Sequence, residues 1–123
     1  MTTTPVANPA DVAALTNTEL QARVTSLEAR CASPSADPDD WFPVAVEPAN
    51  ARRQAAHAIA VCEACPVRAE CLELALRLWS GVGHHGIWGG TVEAERRVLR
   101  EEWLAGVSVG RLLERDIAPG RPA

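Results

Sequence analysis

The sequence predicts a small all-α domain of about four helices joined by irregular loops. Three observations point there. Helix-start residues precede apolar positions at helical spacing in several segments. An alanine-rich run lies mid-chain, and alanine is the best helix former. Proline- and glycine-rich stretches separate these segments.

In chain order, Asn8 as N-cap, Pro9 at the first helical position and Asp11 in the first turn predict a short first helix. A stronger helix follows, with Thr18 and Gln21 as capping box and Leu20, Val24 and Leu27 on one face, running into Cys31. Residues 32–44 hold three prolines and read as a loop, which Trp41 and Phe42 would anchor to a core. Asn50 is placed to cap a helix reaching Val61. Pro66 suits the first turn of the next helix, which would extend to about Trp79 with Leu72, Ala75, Leu76 and Trp79 facing inward. Residues 80–90 carry five of the eight glycines and are expected to be non-helical. Thr91 would cap a last helical region, and residues 107–116 a short helix or frayed end.

The bulk numbers bound the function. The 123 residues suit one small domain, to whose modest core a bound metal group could add much of the stability. A net charge of −4 argues against a general electrostatic grip on nucleic acid. All twelve basic residues are arginine. The N-terminus lacks a basic region and an apolar run, so no secretory signal is expected. No segment is apolar enough to span a membrane. The expected compartment is the cytoplasm, where thiols stay reduced and clustered cysteines serve metal or redox chemistry.

The four cysteines are Cys31 and, thirty residues on, Cys62-x2-Cys65-x5-Cys71. A C-x2-C pair turns both sulfurs toward one ion or cluster edge. Cys71, about a turn and a half into the next helix, can face back toward Cys65. Four thiolates suit either an iron–sulfur cluster or tetrahedral zinc. One knuckle, a wider gap and a lone distant cysteine favour the cluster, as does proline directly after Cys65. Unmetallated thiols are the weakest of the three readings. His84 and His85 read as polar loop residues, and His57 as a surface or packing residue. Glycines around Trp88 allow positive φ, so the backbone can fold tightly and present or bury the indole.

These residues resemble the WhiB-like regulators of actinobacteria and their phages. The matching pieces are Cys31, "DPDDWFP" at 37–43, "CEACPVRAEC" at 62–71, and "GIWGG" at 86–90 followed by "EAERR" at 93–97. The resemblance implies a compact helical domain around one [4Fe-4S] cluster held by Cys31, Cys62, Cys65 and Cys71. It implies a transcriptional regulator responsive to oxygen and nitric oxide. It further implies docking on the C-terminal region of the principal sigma factor through Gly86, Ile87, Trp88, Gly89 and Gly90. Residues 31–100 would form that domain, preceded by an N-terminal segment and helix (1–30) and followed by a C-terminal helix and tail (101–123).

DNA contact is expected to be secondary. Many family members end in a strongly basic tail, whereas residues 91–123 here hold six arginines and six acidic residues. Arg111, Arg115 and Arg121 are the candidates for contacting DNA in a metal-free form. "GRP" at 120–122 and a faint helix-turn-helix cadence at 103–116 are weak signals. No enzyme is expected. The alternatives are a thiol–disulfide reductase using the C-x2-C pair, for which the βαβ pattern is missing, and a structural zinc module.

Overall fold

The computed structural model describes residues 9–26 and 41–114. Within them, a 3-10 helix at Pro9–Ala14 precedes α1 (Asn17–Val24), α2 (Pro48–Gln54), α3 (Ala56–Glu63), α4 (Arg68–Arg77), α5 (Glu93–Leu104) and α6 (Val109–Glu114). The all-α expectation holds: the described residues contain no strand, only an isolated bridge between Trp88 and Thr91. The helix count rises from about four to six.

Helix α4 organises the molecule. Leu72, Ala75 and Leu76 are buried as their spacing predicts, while Trp79 is only half-buried. Burial also extends round to Glu70 and Glu73, so nearly the whole circumference is covered. The main core gathers Ala69, Leu72, Leu74 and Leu76 of α4 with Val12, Leu20 of α1, Leu99 of α5, and Val109 and Leu112 of α6. Each fully buried leucine contributes about 1.5–3 kcal/mol. The two buried carboxylates of α4 are partnered: Glu70 by Arg23 of α1 at 3.3 Å, and Glu73 by Arg77 at 2.8 Å and the Trp103 indole at 3.2 Å. Residues 109–114 are thus docked rather than frayed. A second core joins Ala51, Ala55, Ala58, Ile59 and Cys62 of α2 and α3 to Ile87 and Val92, with Trp41 packed against it.

Several element ends differ from expectation. The capping box is Thr16–Glu19, two residues before Thr18–Gln21: Glu19 N–H donates to Thr16 Oγ1, and Thr16 N–H to Glu19 Oε1. Helix α1 ends at Val24, where the Thr25 and Ser26 hydroxyls donate to the Gln21 and Arg23 carbonyls and compete with further helical turns. Asn8, Leu27 and Cys31 lie outside the described residues.

The mid-chain helix starts from Glu47, not Asn50. The Glu47 carboxylate accepts the Ala49 and Asn50 N–H groups, and Pro48 takes the first position. It also breaks into two helices at the fully buried Ala55 (φ −100°, ψ 16°). Helix α4 begins at Arg68, after a turn through Pro66, and ends at Arg77. The glycine-rich segment opens with a kinked turn, in which Gly81 departs from helical backbone angles (φ −105°, ψ −105°). Trp79–Gly83 forms one wide turn, with Gly83 N–H donating to Leu78 O at 3.0 Å. Thr91 does not cap α5: Val92 holds the cap position and its N–H donates to Glu95 Oε1. Trp41 anchors its loop as expected, whereas Phe42 is 63% exposed.

Candidate metal centre

Helix α3 and helix α4 meet at a tight connection that delivers the clustered cysteines. Cys62 lies in the last turn of α3. Cys65 N–H then donates to Cys62 O at 3.0 Å, and Arg68 N–H to Cys65 O at 3.2 Å, reversing the chain through Pro66. Cys71 follows in α4. Cys62 is buried, Cys65 and Cys71 are half-buried, and all three line one cavity of about 550 Å³ with largely apolar walls. Val61, Val67, Trp41 and Phe42 supply part of that wall, and Gly86–Gly89 line the same cavity. The structure therefore brings together three of the four expected ligands. Cys31 lies outside the described residues.

A soft thiol donor set around an apolar space fits a thiolate-ligated inorganic group. Among the described residues, no three His, Cys, Asp or Glu side chains are gathered closely enough to hold a single metal ion. Of the two histidines in the Ser80–Gly90 segment, His85 lines the cysteine cavity and His84 does not. His84 stacks between Trp79 (5.7 Å between ring centroids) and His85 (3.8 Å), and Arg100 lies 5.6 Å over the Trp79 ring. His57 is exposed, as expected of a surface residue.

The glycine–tryptophan turn forms as its composition predicts. Gly86, Gly89 and Gly90 all take positive φ (71°, 57° and 78°). A Cβ at Gly86 would meet the Phe42 ring and Trp41 O at 2.8 Å, so the turn presses directly on the 41–42 loop. Ile87 N–H donates to Trp41 O at 2.9 Å, tying the two together. Ile87, Gly89 and Gly90 are buried. Trp88 is half-buried, and its indole N–H donates to His85 O at 2.7 Å. Only the tryptophan and the neighbouring Phe42 and His85 offer substantial side-chain surface here.

Three arginines that the sequence reading did not single out hold this turn by its backbone. Arg68 of α4 donates to Gly89 O at 2.9 Å. Arg52 of α2 reaches Gly90 O at 3.4 Å and pairs with Glu95 at 2.7 Å. Arg96 of α5 donates to Gly83 O, Thr91 O and Gly86 O at 3.0, 2.6 and 2.7 Å, and to the Thr91 hydroxyl at 3.1 Å. The signal available in the sequence was the register Val92–Arg96–Leu99, which puts an arginine on the apolar stripe of a helix.

Burial holds the Glu95 carboxyl above the usual carboxylate range, although the Val92 amide and then Arg52 work against that shift. The native chain therefore binds this proton more tightly than the unfolded chain does. Its stabilising contribution is full below the ordinary value of 4.5 and is lost as pH rises through the raised native value. Relative to Glu95→Gln, the wild type is expected to gain stability between pH 7 and pH 5 in urea unfolding. A flat difference, or one moving the other way, would show that the Arg52 pair outweighs burial.

Arg111 is exposed on α6, its amide donating to Ser108 Oγ, and Arg115 and Arg121 lie outside the described residues. Helices α5 and α6 do meet through a turn at Gly106 (φ 104°). No helix among the described residues is long and apolar enough to cross a membrane.

Comparison with known proteins places this arrangement. A family model described as transcription factor WhiB matches residues 26–99. The chain is 45% identical over 65 residues to the transcriptional regulator WhiB of Streptomyces coelicolor, covering 53% of this chain and 64% of that one. It is 44% identical over 64 residues to the transcriptional regulator WhiB1 of Mycobacterium tuberculosis, covering 52% and 71%. The transcriptional regulator WhiB2 of the same species is 42% identical over 64 residues, covering 52% and 62%. The chain thus spans just under two thirds of the length of the Streptomyces regulator. No solved structure matches significantly.

Proposed function

Since the chain belongs to the WhiB family of transcription factors, we propose that it is a non-enzymatic transcriptional regulator that couples a four-cysteine [4Fe-4S] centre to a protein-docking turn. The observation that carries this reading is the shared cavity, which Cys62, Cys65 and Cys71 line together with Gly86–Gly89. Cys31 would supply the fourth thiolate. Three cysteines around one cavity of about 550 Å³, with the single knuckle and wide spacing of the sequence, support a multi-atom group over one zinc ion.

When bound, such a group supplies one-electron chemistry and reactivity toward oxygen and nitric oxide. The chain's own residues convert its presence into surface shape. Cys62 belongs to the second core, while Cys71 sits on α4 within the main core helix, so ligation at both ties the two cores together. Apolar walls surround the cysteines, and Cys62 is buried among them. Trp88 and exposed Phe42 border the same cavity and offer aromatic anchors of the kind that dominate protein interfaces. The partner is the C-terminal region of the principal sigma factor. Release of the ligands would untie the wall behind Trp88 and weaken docking. DNA contact through Arg111, Arg115 and Arg121 is secondary, because residues 91–123 carry no net charge.

The test is the iron and acid-labile sulfide content of anaerobically purified protein, wild type and Cys31→Ala, followed by sigma-factor binding with and without metal. Iron and sulfide in equal amounts, lost in the variant, are expected, with tighter binding by the loaded form. Zinc without sulfide, or equal binding by both forms, would overturn the reading.

A further inference from the structure

Arg96 heads the fully buried side chains by volume, at 0% exposure. An arginine in that position is costly unless its charge is offset. Its donors go to three carbonyls and a hydroxyl, all uncharged. Among the described residues no carboxylate pairs with it. The two acidic residues nearest in sequence are engaged elsewhere, Glu93 by Arg97 and Glu95 by Arg52. Burial pushes the Arg96 guanidinium down to about 10, against the pull of Cys71 first, then of Glu93 and Glu95, and then of Cys62. Geometry puts it at the centre's edge: Gly86, whose carbonyl accepts from Arg96 at 2.7 Å, itself lines the cysteine cavity, so one hydrogen bond joins the guanidinium to that wall.

We propose that Arg96 is the buried counter-charge of the cysteine centre: its fixed positive charge offsets the thiolates at Cys62 and Cys71 and thereby sets the centre's affinity and reduction potential. This rests on the cysteine centre proposed above. It assigns Arg96 an electrostatic task beyond fastening the turn. Charges and hydrogen bonds around ligating sulfur tune both quantities. Removing a positive charge disfavours the more negative, reduced state, so the potential falls.

The experiment compares wild type, Arg96→Gln and Arg96→Lys after anaerobic reconstitution with iron and sulfide, reading the reduction potential. A parallel Co²⁺ titration follows thiolate-to-cobalt absorbance. In Arg96→Gln, a more negative potential and about tenfold weaker Co²⁺ binding are expected. Arg96→Lys keeps the charge but loses the fork, and should stay near wild type in potential. A wild-type potential and Co²⁺ affinity in Arg96→Gln, or an equal shift in both variants, would mean Arg96 only clamps backbone. If Arg96→Gln does not fold, Arg96→Lys decides through pH: a potential that drops below wild type as rising pH strips the buried amine of its charge supports the counter-charge, and one that tracks wild type throughout overturns it. If wild type takes up no iron and sulfide yet Arg96→Gln still weakens Co²⁺ binding, the [4Fe-4S] reading fails while the counter-charge stands. Binding of neither overturns both.

Discussion

Gly83→Ala is expected to destabilise the chain by more than about 3 kcal/mol, among the largest effects of any single substitution in this molecule. A Cβ there would overlap the Ala75 carbonyl oxygen and come within 2.7 Å of its carbon. Both are backbone atoms of α4 and have no side-chain freedom with which to yield. The wide turn is also joined at Gly83 on both sides: its N–H donates to Leu78 O, and its carbonyl accepts from Arg96. Relief of the overlap would therefore pull on α4 and α5 together. Gly81→Ala is the control, because a Cβ at Gly81 meets nothing within 4 Å and its φ is −105°. Urea unfolding followed by tryptophan fluorescence measures both. A change below about 0.5 kcal/mol for Gly83→Ala would mean that this close approach does not exist.

Leu72→Ala is expected to cost about 3–5 kcal/mol. Leu72 is fully buried in the main core, and its Cβ lies where a side chain at Gly89 would collide, at 3.0 Å. The deletion thus opens a void under the turn as well as within the helix packing, and α4 is enclosed on too many sides to collapse into it. Because Cys71 is the adjacent residue, the group proposed at the cysteine centre would be lost faster as stability falls. Leu104→Ala, at a site 61% exposed, should change stability by no more than about 0.5 kcal/mol. Equal effects at the two leucines would contradict the assignment of α4 as the central helix.

The inward positions of α4 were legible because Leu72, Ala75 and Leu76 repeat at helical spacing. The glycines of the turn were legible because only a few residues tolerate positive φ. The shared placement of Cys62, Cys65 and Cys71 followed from their spacing. What escaped had specific physical reasons. Several hydroxyl residues compete near α1, so the cap fell on Thr16 rather than Thr18. Ala55 interrupts a helix although alanine is its best former, since tertiary packing overrides local preference there. Nothing local marks Glu70 and Glu73 as buried, yet partners from α1 and α5 cover them. The arginine contacts to the turn join residues 10 to 38 apart in the chain for Gly86, Gly89 and Gly90, and nothing local announces a backbone carbonyl as the acceptor.

Those contacts also bear on how the surface can diverge between related chains. The three arginines read main-chain oxygens, which are identical whatever residue carries them. The exposed side chains at Val82 and His85 are therefore released from the task of holding the turn's shape. Lineages could exchange them to change partner preference while inheriting the same frame, and the mutational freedom of this face would exceed that of the helices beneath it.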